Sequence, residues 1–217
     1  MADKEKNSVI YTMGEEIFNS VSHGVGVLLS IAALVLLAVK AVLCSDGFAL
    51  AGALVFGISL ILLYTMSMPY HIVTNRTAKK VLRIFDHCSI FILIAGTYTP
   101  YLLVTLRGRL GWTVFGIIWG VTLVGIVLNA INLDKFRVLS LICYVLMGWG
   151  IVLTIKPLSE SLAAPGIALL VAGGIVYTVG VIFYVLKKYR YMHSVWHLFV
   201  LAGSVCHYLS VFLYVLK

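Results

Sequence analysis

Polar residues interrupt this chain at intervals too wide for a soluble fold. Between them lie seven apolar runs, approximately 18–43, 48–71, 84–104, 111–131, 137–156, 164–187 and 194–216. A helix needs about 20 predominantly apolar residues to cross a bilayer, so each run is long enough to span. The connections are short. The whole chain, 1–217, therefore reads as a single domain, an all-α bundle of seven transmembrane helices with a short N-terminal segment at 1–17.

The polar positions gather at the ends of these runs. Glu16, Asn19 and His23 are spaced by three and then four residues, which makes one stripe at the start of the first span. Ser67 and His71 share a face at the end of the second span, with Pro69 between them expected to kink that turn. Asp86 and His87 open the third span, and Asp86 shares a face with Ser89. His193 and His197 open the seventh. Two histidines four apart lie one turn above the other, so both imidazoles can reach a single ion. In an alternating topology all these ends fall on one side of the membrane. Only His207 lies deeper, about 15 Å beyond His197 along the helix.

Composition supports the membrane assignment. The 217 residues are 62% hydrophobic and only 11% charged. The N-terminus mixes acidic and basic residues and lacks the short apolar core of a secretory signal, so the first span is expected to stay in place. Cys44, Cys88, Cys143 and Cys206 are scattered and read as small apolar residues, forming neither a disulfide framework nor a thiolate metal site.

Charge orients the bundle. The net charge of +8 comes from loop residues. With a cytoplasmic N-terminus, Lys4, Lys6, Arg76, Lys79, Lys80, Arg83, Lys135, Arg137, Lys187, Lys188 and Arg190 lie inside. Lys40, Arg107, Arg109, Lys156 and Lys217 lie outside. This bias predicts a multi-pass protein of the cell membrane with an extracytoplasmic C-terminus. It argues against a nucleic-acid surface. The run Lys79-Lys80-Val81-Leu82-Arg83 reads as a topology signal and a contact for anionic lipid headgroups.

Depth and spacing together point to a metal. Three imidazoles, from His71, His193 and His197, with a carboxylate from Asp86, match a catalytic zinc site with three protein ligands and an open fourth position. Zn2+ would lower the pKa of a bound water, which Asp86 could orient and deprotonate. Ser67, one turn from His71, could hydrogen-bond the water or a substrate carbonyl. An unmetallated histidine network is the rival reading. Other residues have simpler expected roles. His23 pairs with Asn19 or Glu16 and ties the first helix into the bundle. His87, rotated about 100° from Asp86, is interfacial. His207 is a hydrogen-bonded bundle histidine. Pro100 kinks or ends the third helix, and glycines such as Gly26, Gly57 and Gly173 admit close helix packing. A retinal protein is disfavoured because the last span has no internal lysine, and no continuous polar path for a transporter crosses the outer half.

These motifs resemble, over essentially the full length, the haemolysin III branch of the progestin and adipoQ receptor family. The family pattern E-x-x-N-x-x-x-H appears as Glu16, Asn19 and His23, and S-x-x-x-H as Ser67 and His71. Asp86 follows, and H-x-x-x-H closes the chain as His193 and His197. The resemblance implies a seven-helix zinc protein ligated by His71, His193 and His197, with Glu16, Asn19 and His23 in support and a water held by Asp86. Relatives suggest hydrolysis of an amide, or ester, in a membrane lipid such as ceramide. Two other functions stand beside it: a membrane-lytic protein, as the family name suggests, and a sensor or regulator of membrane state with a structural zinc. Nothing supports binding of a protein hormone.

Overall fold

The computed structural model describes residues 11–217 apart from Ser45 and Lys187. Lys4, Lys6 and Lys187 of the charge argument, and most of the 1–17 segment, lie outside the described residues. Seven α-helices occur among those residues, with no strand: α1 Met13–Leu43, α2 Gly47–Ile72, α3 Arg76–Pro100, α4 Arg109–Trp149, α5 Ile155–Ser161, α6 Ala164–Val185 and α7 Met192–Ser210. Among the described residues, six helical stretches are long and apolar enough to cross a membrane.

Each early helix starts where its cap dictates. Thr12 Oγ1 accepts from Glu15 N, while the Glu15 carboxylate accepts from Thr12 N, a reciprocal capping box that opens α1 five residues earlier than the apolar run. Asp46 caps α2 through Phe48 N and accepts from Arg107 at 2.5 Å. The Arg107 guanidinium holds the Asp46 carboxyl below its ordinary range. Asn75 caps α3 through Thr77 N and Ala78 N, so the basic run at 79–83 is helix and not loop. At Pro100 the α-helical pattern gives way to a π turn, Tyr101–Thr105, and a second π turn, Val211–Val215, follows α7.

The 41-residue α4 would be about 60 Å long if straight, roughly twice a bilayer core. It is not straight. Asn132 has non-helical backbone angles (φ −161°, ψ 90°), and its side chain accepts from Lys135 N, capping the limb that follows. Asn129 Oδ1 accepts from Ser140 Oγ at 2.6 Å, although a continuous helix would separate these residues by about 16 Å. The chain therefore folds back on itself at one residue. The expected loop between 131 and 137 shrinks to Asn132, because an asparagine can both leave the helix and cap the next one.

The bundle places apolar surface outward and polar groups inward. Leu28, Ile131 and Leu153 are exposed, as lipid-facing residues are, whereas Asn19, Ser67, Thr122 and Asn129 are buried. Gly26 and Gly125 admit close packing against aromatic rings: a Cβ at Gly26 would lie 2.5 Å from the Tyr64 ring, and one at Gly125 2.3 Å from Phe91. Gly24 and Gly174 pack less tightly, since a Cβ at either would meet only ordinary contacts.

The Asn129–Ser140 bond gives the fold a direct test. Asn129→Leu should destabilise the protein by about 1–3 kcal/mol, because it leaves a buried hydroxyl unpaired. Adding Ser140→Ala should restore part of that loss in thermal unfolding in detergent.

Candidate metal centre

The centre is assembled at the end of α2 and the starts of α1, α3 and α7. His71, His193 and His197 are all buried, and each offers a ring nitrogen within 4.8 Å of the other two. The Nε2 atoms of His193 and His197 are 3.1 Å apart. Ligands at about 2.0–2.1 Å from a tetrahedral ion sit about 3.3 Å from each other, so the pair already has the separation a metal needs.

The stripe on α1 sets this geometry. Glu16 Oε2 accepts from His71 Nδ1 at 2.6 Å, and Glu16 Oε1 accepts from Lys79 Nζ at 2.5 Å. A proton held on Nδ1 leaves the Nε2 lone pair free to ligate, and His71 Nε2 has no hydrogen-bond partner. Three residues on, Asn19 Oδ1 accepts from Ser194 Oγ at 2.6 Å, beside His193. One residue before Glu16, Glu15 Oε1 accepts from Tyr191 N at 2.7 Å. Tyr191 takes a left-handed conformation (φ 60°), uncommon for a side chain of that size, and the Glu15 bond holds it at the turn into α7.

His23 differs from expectation. Glu16 and the Asn19 Oδ1 are committed elsewhere, neither His23 ring nitrogen has a hydrogen-bond partner, and its ring stacks on His197 at 3.7 Å between centroids. It braces a ligand by contact. His87 is also a correction. It is buried, its Nδ1 donates to Arg83 O at 2.9 Å, and its Nε2 lies 3.3 Å from Tyr184 Oη. The approach of α6 covers what would be an interfacial position on an isolated helix. His207 Nδ1 has no hydrogen-bond partner either, against the expected bonded histidine.

Ser67 and Asp86 line a cavity of about 50 Å3 with His193 and His197. Asp86 shares that cavity's wall with His193 and His197, and one of its carboxylate oxygens lies 3.6 Å from His87 Nδ1. Ser89 shares its turn and donates to Asp86 O. A larger chamber of about 140 Å3 adjoins, with Leu63, Ile90, Tyr184, Trp196 and Val200 forming walls of both. Its remaining lining is mostly apolar.

Comparison with known proteins decides the kinship. The family described as "Haemolysin-III related" matches residues 11–208. The chain belongs to the haemolysin-III family. "Hemolysin-3" of Bacillus cereus is 45% identical over 202 residues, covering 93% of this chain and 92% of that protein. "Hemolysin-3 homolog" of Bacillus subtilis (strain 168) is 44% identical over 208 residues, covering 96% and 98%. Human "Monocyte to macrophage differentiation factor" is 28% identical over 173 residues, 76% of this chain and 71% of that one. This haemolysin-III family member is thus a multi-pass membrane protein whose three buried histidines can hold a metal ion.

One residue of the centre escaped the spacing analysis. Tyr11 stacks on His193 at 4.9 Å and meets His71 edge-on at 5.8 Å, closing the cavity from the N-terminal side. Burial pushes its phenol well above the usual range, so it keeps its proton. Its only sequence signal is its place directly before the Thr12 cap, where the chain turns in toward the bundle.

Elemental analysis of the purified protein tests the trio. About one divalent ion per chain is expected, and His71→Ala or His197→Ala should lose it. Glu16→Gln should retain the ion with affinity about 10–100-fold weaker, as expected when the group orienting a ligand is changed.

Proposed function

We propose that this haemolysin-III protein is a zinc-dependent hydrolase that cleaves an amide or ester bond in a membrane lipid such as ceramide. The observation that carries the reading is the adjacency of the two cavities. The smaller one is lined by His193 and His197 of the trio together with Asp86 and Ser67, and it shares walls with a larger apolar one suited to an acyl chain.

His71, His193 and His197 are the ligands in this reading, and zinc fits because neutral, buried imidazoles are its preferred nitrogen donors. When bound, zinc would supply Lewis acidity and lower the pKa of a water molecule toward neutrality. Glu16 keeps the His71 proton on Nδ1, and His23 and Asn19 hold His197 and the start of α7 in place. Ser67 Oγ donates to the substrate carbonyl oxygen. Asp86 takes the proton released as water oxygen bonds to the carbonyl carbon. It then delivers that proton to the leaving nitrogen as the carbon–nitrogen bond breaks, giving a fatty acid and an amine. Tyr11 keeps bulk water from the opening.

The topology of the proposal is a single domain of seven spans, with the two limbs of α4 crossing separately. The N-terminus is cytoplasmic and the C-terminus outside, which puts the centre in the inner leaflet. The loop charges support this orientation. A reporter that is active only outside the cell should be active when fused after Lys217. On this view the lysis in the relatives' names is a consequence of altered lipid composition.

Purified protein incubated with ceramides and other acyl amides should release fatty acid, and a chelator should stop it. Asp86→Ala should abolish turnover yet keep the metal, whereas His193→Ala should lose both. Absence of metal-dependent release across a broad lipid panel sinks the reading.

A further inference from the structure

His207 stands ten residues beyond His197 on α7, about 15 Å deeper along the axis. Its side chain is only 5% exposed and its ring stacks on Tyr177, with centroids 5.2 Å apart. Nδ1 has no hydrogen-bond partner. A buried polar group left unpaired costs about 1–3 kcal/mol, and ionisable side chains within membrane helices are functional candidates by default. The fold makes room for this one: a Cβ on Gly173 of α6 would lie 2.6 Å from His207 Nε2, so any larger residue there would displace the ring.

His207 forms part of the wall of the apolar chamber that begins at Trp196 and Val200 beside the metal centre. Most other polar groups in that wall are already committed, the Tyr101 hydroxyl being an exception. Thr97 Oγ1 donates to Leu93 O, Tyr98 Oη to Met147 O and Thr178 Oγ1 to Gly174 O. Tyr144 Oη donates to His87 O, and Tyr177 Oη bonds Ser204 Oγ. The His207 imidazole retains capacity for a ligand.

We infer that His207 is a recognition station for a hydroxyl carried partway along an acyl chain, about a dozen carbons from the carbonyl presented to the three histidines. The inference rests on the proposed function for which end of the lipid faces the histidines. It does not require that the bond be cleaved. A chain threaded from the metal centre along α7 would bring its twelfth carbon level with the imidazole, and a hydroxyl there would meet that unspent hydrogen-bonding capacity. An unbranched hydrocarbon would leave the imidazole unpaired.

Displacement of a fluorescent octadecanoyl amide from the detergent-solubilised full chain tests this. The competitors are octadecanoyl amide and its 12-hydroxy and 6-hydroxy forms. One added hydrogen bond predicts that the 12-hydroxy chain binds about threefold to tenfold tighter than the plain chain, and the 6-hydroxy chain does not. His207→Phe should erase the preference while keeping affinity for the plain chain, and His207→Gln should keep part of it. Equal binding of the three competitors by wild type overturns the inference, as does a preference that survives in His207→Phe. Should His207→Phe fail to fold, the wild-type comparison of the 12-hydroxy and 6-hydroxy chains decides alone. Fatty-acid release is measured in parallel. Preference without release overturns the hydrolase reading and supports the station, and release without preference does the reverse.

Discussion

The carboxylate of Glu16 is the point on which the metal centre turns. In a bundle whose outer surface faces lipid, a partly buried charge has little water to fall back on and is best held by partners within the protein. Glu16 finds two, the imidazole of His71 and the ammonium of Lys79. The first selects the His71 tautomer, and the second anchors the carboxylate to α3. Because Asn19 lies on the same stripe and holds Ser194, one face of α1 fixes the relative positions of α2, α3 and α7. The three imidazoles meet because that stripe leaves them little other choice.

The same logic orders the rest of the interior. Most buried hydroxyls spend their protons on backbone carbonyls within a turn, as Ser30, Ser59 and Thr99 do. A smaller set crosses between helices: Tyr64 to Ser204, Trp149 to Thr178, Tyr98 to the carbonyl of Met147. Against this background of satisfied groups, His23, His71 and His207 are conspicuous for ring nitrogens without partners. Two of them belong to the metal centre and the third to the chamber. Such bonds stabilise modestly, but a buried group left without one costs more, which sets these exceptions apart.

Much of the centre was legible because helical periodicity is a strong geometric rule. Spacings of three and four residues put Glu16, Asn19 and His23 on one face, and the same rule paired Ser67 with His71 and His193 with His197. The residues that escaped are those whose surroundings come from another helix. His87 looked interfacial from its rotation about α3, but burial there is decided by Tyr184 arriving from α6. His23 shares a stripe with Glu16 and Asn19 yet bonds neither, its ring lying instead against His197 from α7. Tyr11 precedes any periodic segment, so no pattern placed it. At Asn132 the apolar pattern predicted a gap of several residues, while the backbone needed only one.

α1 meets α7 at one end and the π turn that follows α7 at the other. Glu15 reaches Tyr191 and Asn19 reaches Ser194 at one end, and Lys40 donates to Phe212 O in the π turn at the other. The first helix made is therefore sealed against the last. Synthesis proceeds from the N-terminus, so Glu16 and His71 can meet early, while His193 and His197 arrive only when almost the whole chain has been inserted. Until then the seam of α1 stands open, and the centre cannot close around an ion. The histidine trio that could hold an ion is completed only by α7, and a chain that stops short of α7 carries one histidine of the three.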